Sequence, residues 1–160
     1  MFSEALRKQA AELLDSCRRK GWKIASAESC TGGLIAALLT EIPGSSDVFE
    51  RGFVTYSNTS KTEMLGVDAG LITKHGAVSE EIAAAMAQGA QTQAKVNLAV
   101  AVTGIAGPGG GAAQKPVGLV YVALAARGDG VTVERCLFSG GRSEIRIASV
   151  AKAVEMLLSS

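Results

Sequence analysis

The spacing of hydrophobic positions predicts helices at the start, in the middle and at the end of the chain. An amphipathic helix is predicted over residues 3–19, where apolar residues recur every three to four positions and Gly21 ends the pattern. The clearest helix spans 79–95, with Ser79 as its N-cap and acidic residues in its first turn. A last helix is predicted over about residues 143–158.

Apolar stretches between these helices predict five strands, at 22–27, 48–56, 98–104, 117–125 and 130–138. The third, LAVAVTG, is apolar almost throughout, as expected of a strand buried on both faces. The last two flank ARGDG and predict a hairpin. Strands alternating with helices predict an α/β protein, a three-layer α/β/α sandwich with a mixed β-sheet, forming one domain over residues 1–160.

Composition narrows the classes of function. Sixteen Lys and Arg against fifteen Asp and Glu give a net charge of +1, so we expect no nucleic-acid partner. Three cysteines without C-x-x-C spacing argue against a disulfide framework or structural zinc. The charged, amphipathic N-terminus is unlike a signal peptide, and no uninterrupted apolar run of about eighteen residues occurs. We therefore expect a cytoplasmic protein without a membrane partner.

The stretch SAESCTGG, residues 26–33, places small reactive side chains between a predicted strand and a predicted helix. We expect the helix to begin at Gly32 with Thr31 as its cap. Its first N–H groups and positive dipole end suit a phosphate or a developing oxyanion. The alternative is a purely structural turn, in which Ser29 or Thr31 only caps the helix and the glycines permit close packing.

A candidate base lies in FVTYSNTSK, residues 53–61. Taken alone, this is a strand end followed by a solvated lysine. However, a serine nucleophile needs a base, and the chain has a single histidine. If Lys61 is withdrawn from water it can act as that base, and the hydroxyl of Tyr56 can relay the proton or hold the geometry.

Glycines and arginines further along the chain suggest an anion site. Gly104, Gly107 and Gly109 belong to a glycine-rich loop after the buried strand, whose amides can reach an anion, although it lacks the G-K-[ST] ending of a P-loop. An ordinary surface loop is the alternative. Arg142 and Arg146 are four residues apart at a helix start and hence share one face, which points to an anionic partner.

The residue set also bears on three other kinds of chemistry. A Cys30–His75 nucleophile pair remains open, whereas a metal site lacks a second ligand near His75 at a suitable spacing. Short-chain dehydrogenases also use Ser, Tyr and Lys in this order. Their Y-x-x-x-K spacing differs from that of Tyr56 and Lys61, however, and no glycine fingerprint follows the first strand.

Five motifs in order, AESCTGG, FERGFVTYSNTSK, HGAVS, TGIAGPGGG…KPVG and a final GGR, resemble the C-terminal domain of the competence/damage-inducible (CinA) family. The resemblance covers nearly the whole chain. Stand-alone versions of this domain are nicotinamide-mononucleotide deamidases. The resemblance therefore implies an amidohydrolase that converts nicotinamide mononucleotide and water to nicotinic acid mononucleotide and ammonia, without a cofactor or metal.

The resemblance also implies roles for individual residues. Ser29 would be the nucleophile and Tyr56 and Lys61 its activating partners, with backbone amides at the start of the following helix as oxyanion donors. The residues expected to contact the substrate are Thr31, Gly32, Thr103, Gly104, Gly107, Arg142 and Arg146.

Two positions depart from the family pattern, which often has an acidic residue at Gly109 and GDR where this chain has Gly140-Gly141-Arg142. These departures keep a second function open, a nucleotide-sensing or partner-binding module that retains the pocket without turnover. The alanine-rich, apolar composition favours a homo-oligomer, with a dimer as the first expectation.

Overall fold

A computed structural model describes all 160 residues, Met1–Ser160. The helices are α1 (Glu4–Lys20), α2 (Leu34–Glu41), α3 (Asn58–Leu65), α4 (Ala69–His75), α5 (Glu80–Ala94) and α6 (Arg142–Leu158). The strands are β1 (Ile24–Glu28), β2 (Phe49–Val54), β3 (Leu98–Gly104), β4 (Leu119–Ala126) and β5 (Gly130–Leu137). None of the helices combines the length and the apolar character needed to cross a membrane.

The five strands form one sheet with the order β2-β1-β3-β4-β5. The first three strands in this order run parallel, and β4 and β5 are antiparallel to their neighbours. Helices α1, α2 and α6 bury their apolar sides on one face of the sheet, and α5, with α3 and α4 beside it, covers the other. The predicted α/β/α sandwich with a mixed sheet is confirmed.

Most predicted elements lie where the hydrophobic pattern placed them. Strand β3 has the predicted bounds, and β4 and β5 form the predicted hairpin. Strand β2 ends at Val54, so Tyr56 lies beyond the strand rather than at its end. The helix predicted from Gly32 begins instead at Leu34, because Gly32 and Gly33 have φ angles of 59° and 102°, which a right-handed helix excludes.

Close packing at Gly89 places α3 against α5. A Cβ atom at Gly89 would lie 2.1 Å from the carbonyl oxygen of Leu65, so only glycine permits this approach. At the other end of α3, Ser57 and Ser60 form a capping box. Both features fix the short helix that carries Lys61.

The topology brings the predicted motifs to one edge of the sheet. From β1 the chain goes to β2 on one side and then to β3 on the other, which makes the boundary between β1 and β3 a topological switch point. Ligands of open α/β sheets bind at such points, outside the carboxyl ends of the strands. Ser29 follows β1 there, and its amide donates to the carbonyl of Val102 on β3 at 2.9 Å.

Candidate active site

A buried carboxylate anchors the turn that carries Ser29. Glu28, the last residue of β1, is completely buried, and its carboxylate accepts hydrogen bonds from the amides of Ile35 (2.8 Å) and Ala36 (3.1 Å). The hydroxyl of Ser26 donates to it at 3.3 Å. Glu28 therefore caps α2 and compensates its positive end. These two amides are not free for an oxyanion, contrary to our expectation for the helix start.

The prediction that Thr31 caps this helix is wrong. The N-cap position is Gly33, which makes no side-chain capping bond, and the buried Thr31 hydroxyl has no protein partner. Glu28 is not among the site residues predicted from the sequence. The available signal is a carboxylate in the strand IASAE, next to a turn whose own residues cannot cap the helix.

Backbone amides immediately after Ser29 remain free. The amides of Cys30, Thr31 and Gly33 donate to no backbone carbonyl, whereas the amide of Gly32 donates to the carbonyl of Ser29 at 3.0 Å. The oxyanion donors of acyl-transfer sites are amides in this position relative to the nucleophile. The turn thus has unoccupied donors, although not those of the α2 helix itself.

Lys61 and Ser29 are in direct contact. The Nζ atom of Lys61 lies 3.1 Å from Oγ of Ser29 and donates to the carbonyl of Thr55 at 2.8 Å. Lys61 is 1% exposed and forms no ion pair, and burial lowers its pKa below the ordinary lysine value. A neutral amine in this position can donate to Thr55 and keep its lone pair for the serine hydroxyl.

Tyr56 lies apart from this pair. Its side chain is 61% exposed, and its hydroxyl accepts a hydrogen bond from the guanidinium of Arg142 at 2.9 Å. It makes no hydrogen bond to Ser29 or Lys61, so the proton relay through Tyr56 has no counterpart in the structure. The tyrosine and Arg142 together form an outer rim of the site.

The glycine-rich loop is fixed by packing and by Arg142. The second guanidinium nitrogen of Arg142 donates to the carbonyl of Gly107 at 2.8 Å. Gly107 has a φ of 77°, and a Cβ atom there would lie 2.5 Å from Val117. A Cβ atom at Gly104 would lie 2.6 Å from Val120. Both glycines therefore have a structural role, and contact with a substrate remains a prediction.

The same loop is tied to the segment that follows α4. The hydroxyl of Thr103, which is buried at the end of β3, donates to the carbonyl of Ala77 at 2.8 Å. From the other side, Nζ of Lys115 donates to the carbonyl of His75 at 2.7 Å. These bonds join the HGAVS and glycine motifs at the edge of the sheet where Ser29 lies.

The two arginines of α6 have different partners. Arg142 is exposed and joins Tyr56 to Gly107, whereas the half-buried Arg146 donates to the carbonyls of Cys30 and Thr31, both at 3.1 Å. The predicted shared helix face is present. Arg142 lies at the outer rim of the site, and Arg146 binds the turn that follows Ser29.

The structure does not bring together the alternative nucleophile pair. Cys30 is 6% exposed, and burial raises its pKa to about 11, which keeps the thiol protonated. His75 ends α4 and lies beside Glu81, with 3.4 Å between Nδ1 and Oε1. No group of three or more His, Cys, Asp and Glu side chains is arranged to hold a metal ion.

The two departures from the family pattern differ in their surroundings. A Cβ atom at Gly109 would meet no atom within 4 Å, so the fold does not require glycine there. At Gly141 it would lie 2.9 Å from a carboxylate oxygen of Glu144. An acidic residue at Gly141 would therefore oppose Glu144, and glycine avoids that repulsion.

The chain is similar to known proteins over nearly its whole length. The chain is 45% identical to nicotinamide-nucleotide amidohydrolase PncC of Escherichia coli (strain K12) over 158 residues, 98% of this chain and 95% of that protein. It is 50% identical to a CinA-like protein of Syntrophobacter fumaroxidans over 155 residues, which are 97% of this chain and 35% of that protein. The chain thus spans about a third of the length of the CinA-like relatives it matches.

Solved structures and a family match complete the comparison. The competence/damage inducible protein CihA from Agrobacterium tumefaciens has a TM-score of 0.97 and 49% identity, covering 99% of this chain and 97% of that one. A CinA superfamily protein from Escherichia coli has a TM-score of 0.92 and 29% identity, covering 99% and 92%. The CinA C-terminal domain matches residues 6–160, and with this match over almost its whole length the chain belongs to the CinA C-terminal domain family.

Proposed function

We propose that this protein hydrolyses the carboxamide of nicotinamide mononucleotide to give nicotinic acid mononucleotide and ammonia. Ser29 is the nucleophile and Lys61 the general base. The observation that carries the proposal is the 3.1 Å contact between Lys61 Nζ and Ser29 Oγ, made by a buried lysine without an ion-pair partner. The choice of substrate is supported by the name of the PncC relative, nicotinamide-nucleotide amidohydrolase.

In the first step Ser29 attacks the substrate. Neutral Lys61 takes the hydroxyl proton as Oγ forms a bond to the carboxamide carbon. The carbonyl oxygen becomes negatively charged. The backbone amides of Cys30 and Thr31 can donate hydrogen bonds to this oxyanion. Loss of one such donor lowers the rate by about 10²–10³-fold in well-studied acyl-transfer enzymes.

In the second step the carbon–nitrogen bond breaks. Lys61, now an ammonium group, returns its proton to the leaving nitrogen, so that ammonia departs and an acyl ester on Ser29 remains. Lys61 then takes a proton from water, and the resulting hydroxide attacks the ester. The carboxylic acid leaves, the proton returns to Ser29, and the site is ready for another turnover.

The rim of the site is assigned to the nucleotide part of the substrate. Arg142 is the exposed cation beside the glycine loop, and we expect it to meet the phosphate. Tyr56, Thr103 and the loop around Gly107 are expected to orient the ribose and the ring. Such contacts accelerate the reaction by holding the carboxamide carbon close to Ser29.

The test is ammonia release from nicotinamide mononucleotide by the wild type and by Ser29→Ala, in the presence of a chelator. We expect release by the wild type and none above background by the variant. Cys30→Ala is the matched control, because it removes the neighbouring side chain and should keep activity. Equal release by Ser29→Ala would place the nucleophile elsewhere, and no release by the wild type, with binding confirmed, would favour a sensing module.

A further inference from the structure

We infer that Arg146 is a positioning residue that aims the backbone amide of Thr31 at the reacting carbonyl oxygen. This inference rests on the proposed function, because it assigns a task within the same reaction. It differs from our expectation that Arg146 contacts the substrate. The observations that carry it are the two hydrogen bonds of Arg146 and the planarity of the peptide bond.

Arg146 reaches the nucleophile turn from a distant part of the chain. Its Nε donates to the carbonyl of Cys30, and one terminal nitrogen donates to the carbonyl of Thr31, both at 3.1 Å. Gly32 allows this approach, since a Cβ atom there would lie 3.2 Å from the guanidinium and its φ is 59°. The guanidinium therefore holds two successive carbonyls of the turn at once.

Holding these carbonyls fixes the direction of the amides. In a trans peptide bond the C=O and the following N–H point in opposite directions within one plane. The carbonyl of Cys30, held by Arg146, thus directs the N–H of Thr31 away from the guanidinium. The carbonyl of Thr31 likewise opposes the N–H of Gly32, which closes the turn on the carbonyl of Ser29. The N–H of Thr31 is left without a protein acceptor.

The charge of Arg146 acts in the same direction. A guanidinium bound to a carbonyl oxygen polarises the peptide, which makes the N–H of that peptide a stronger donor. Each arginine donates two hydrogen bonds within the protein, but those of the half-buried Arg146 go to the turn. Arg142 is exposed on the same helix and binds Gly107 and Tyr56. The two arginines therefore have different roles: Arg146 orients the turn, and Arg142 binds the phosphate of the substrate.

The kinetic test separates positioning from binding. Arg146→Lys keeps a positive charge but cannot hold both carbonyls, and we expect its kcat to fall by about 10²-fold, the effect typical of losing one oxyanion donor. The dissociation constant for nicotinamide mononucleotide, measured in a Ser29→Ala background, should change less than about threefold, since Arg146 does not touch the substrate. Arg127→Lys, on an exposed turn at the opposite edge of the sheet, is the matched control. An unchanged kcat, with a loss of kcat/KM that the increase in Kd explains in full, would overturn the inference.

A structural readout is independent of turnover. In ¹⁵N–¹H spectra without substrate, Arg146→Lys should shift the amide signal of Thr31, whereas Arg127→Lys should leave it in place. An unchanged Thr31 signal would contradict the inference even if activity fell. If the wild type released no ammonia, the proposed function would fail, and this signal would still decide whether Arg146 orients the turn.

Discussion

Two lysines of this protein have opposite environments. Lys152 on α6 lies between two carboxylates, with Nζ 2.6 Å from Glu134 and 2.9 Å from Glu155, and these partners raise its pKa above the ordinary lysine value. Lys61 on α3 is buried against Ser29 and the carbonyl of Thr55, and burial lowers its pKa. The same side chain is therefore held as a cation in one place and favoured as an amine in the other.

The comparison shows that the neighbours of a lysine decide whether its charged or its neutral form is favoured. Both lysines are largely withdrawn from water, with side-chain exposure of 19% at Lys152 and residue exposure of 1% at Lys61. Only Lys152 has carboxylates that compensate its charge. The cost of burying an uncompensated ammonium group makes the neutral form of Lys61 accessible, and Ser29 is the hydroxyl within its reach.

The largest effect on activity is expected from removing the amine of Lys61. Lys61→Met should lower ammonia release by about 10²–10⁴-fold, the range of a lost general base, because no other base contacts Ser29. Lys152→Met, the matched control, should keep wild-type activity and lose at most about 1 kcal/mol of the free energy of unfolding. Comparable losses of activity in both variants would remove the distinction between the two lysines.

The pH dependence of kcat/KM tests whether Lys61 reacts as a neutral amine. In the proposed mechanism the reactive form of Lys61 is the neutral amine, so kcat/KM should rise about tenfold per pH unit below its pKa and then level off. The lowered pKa should place this plateau at a lower pH than an ordinary lysine would. As the pH falls, protonation of Lys61 should remove activity.

Lys61→Arg is the control for this pH profile, since a guanidinium stays protonated over the accessible range. It should be inactive at every pH. An activity that falls as the pH rises from neutrality would contradict the assignment of Lys61 as base.

A smaller effect, on stability, is expected at Glu28. Its carboxylate is buried close to the site but faces the amides of Ile35 and Ala36, and it forms no ion pair with Lys61. In Glu28→Gln the side-chain amide can accept only at its oxygen, so one helix amide loses its acceptor. We expect a loss of about 1–3 kcal/mol in denaturant unfolding.

Glu134→Gln is the matched control, since it removes a half-exposed carboxylate that binds Lys152. It should cost about 0.2–1 kcal/mol, the usual value of an exposed ion pair. Equal losses in the two variants would argue that Glu28 has no special capping role.

The smallest effect is expected at Cys30. The residue is 6% exposed, and the raised pKa of its thiol keeps it protonated. Cys30→Ala should change kcat/KM by less than about tenfold, since it leaves the backbone amide at this position intact. Alkylation of Cys30 itself by iodoacetamide in the native protein should be slow for the same reason. Loss of activity on the scale of Ser29→Ala would restore the thiol mechanism.

The sequence could predict the sandwich and the mixed sheet, which follow from local hydrophobic periodicity. The edge at which the motifs meet was not predicted, because it depends on the strand order. The sequence could also propose Ser29 and Lys61 as partners, although in NTSKTEML nothing indicates that the lysine is buried. That burial depends on the contact between Gly89 and Leu65, which lie on different helices.

Long-range hydrogen bonds account for what the sequence did not predict. The partners of Arg146 are 115 and 116 residues away along the chain, and the partner of Tyr56 is 86 residues away. Local spacing showed that Arg142 and Arg146 share a face but not that they have different partners. The start of α2 was misplaced for another reason, since two glycines of positive φ precede it and its cap comes from the preceding strand.

The most direct test is an NMR titration of the two lysine side chains, ¹⁵N-labelled at Nζ, in the wild-type protein. Lys61 can be assigned by comparison with Lys61→Met, and Lys152 by comparison with Lys152→Met. We expect Lys61 to lose its proton at a pH below the ordinary lysine range, whereas Lys152 should keep its proton beyond that range. A Lys61 that titrates together with Lys152, or after it, would contradict the claim that burial prepares a neutral base beside Ser29.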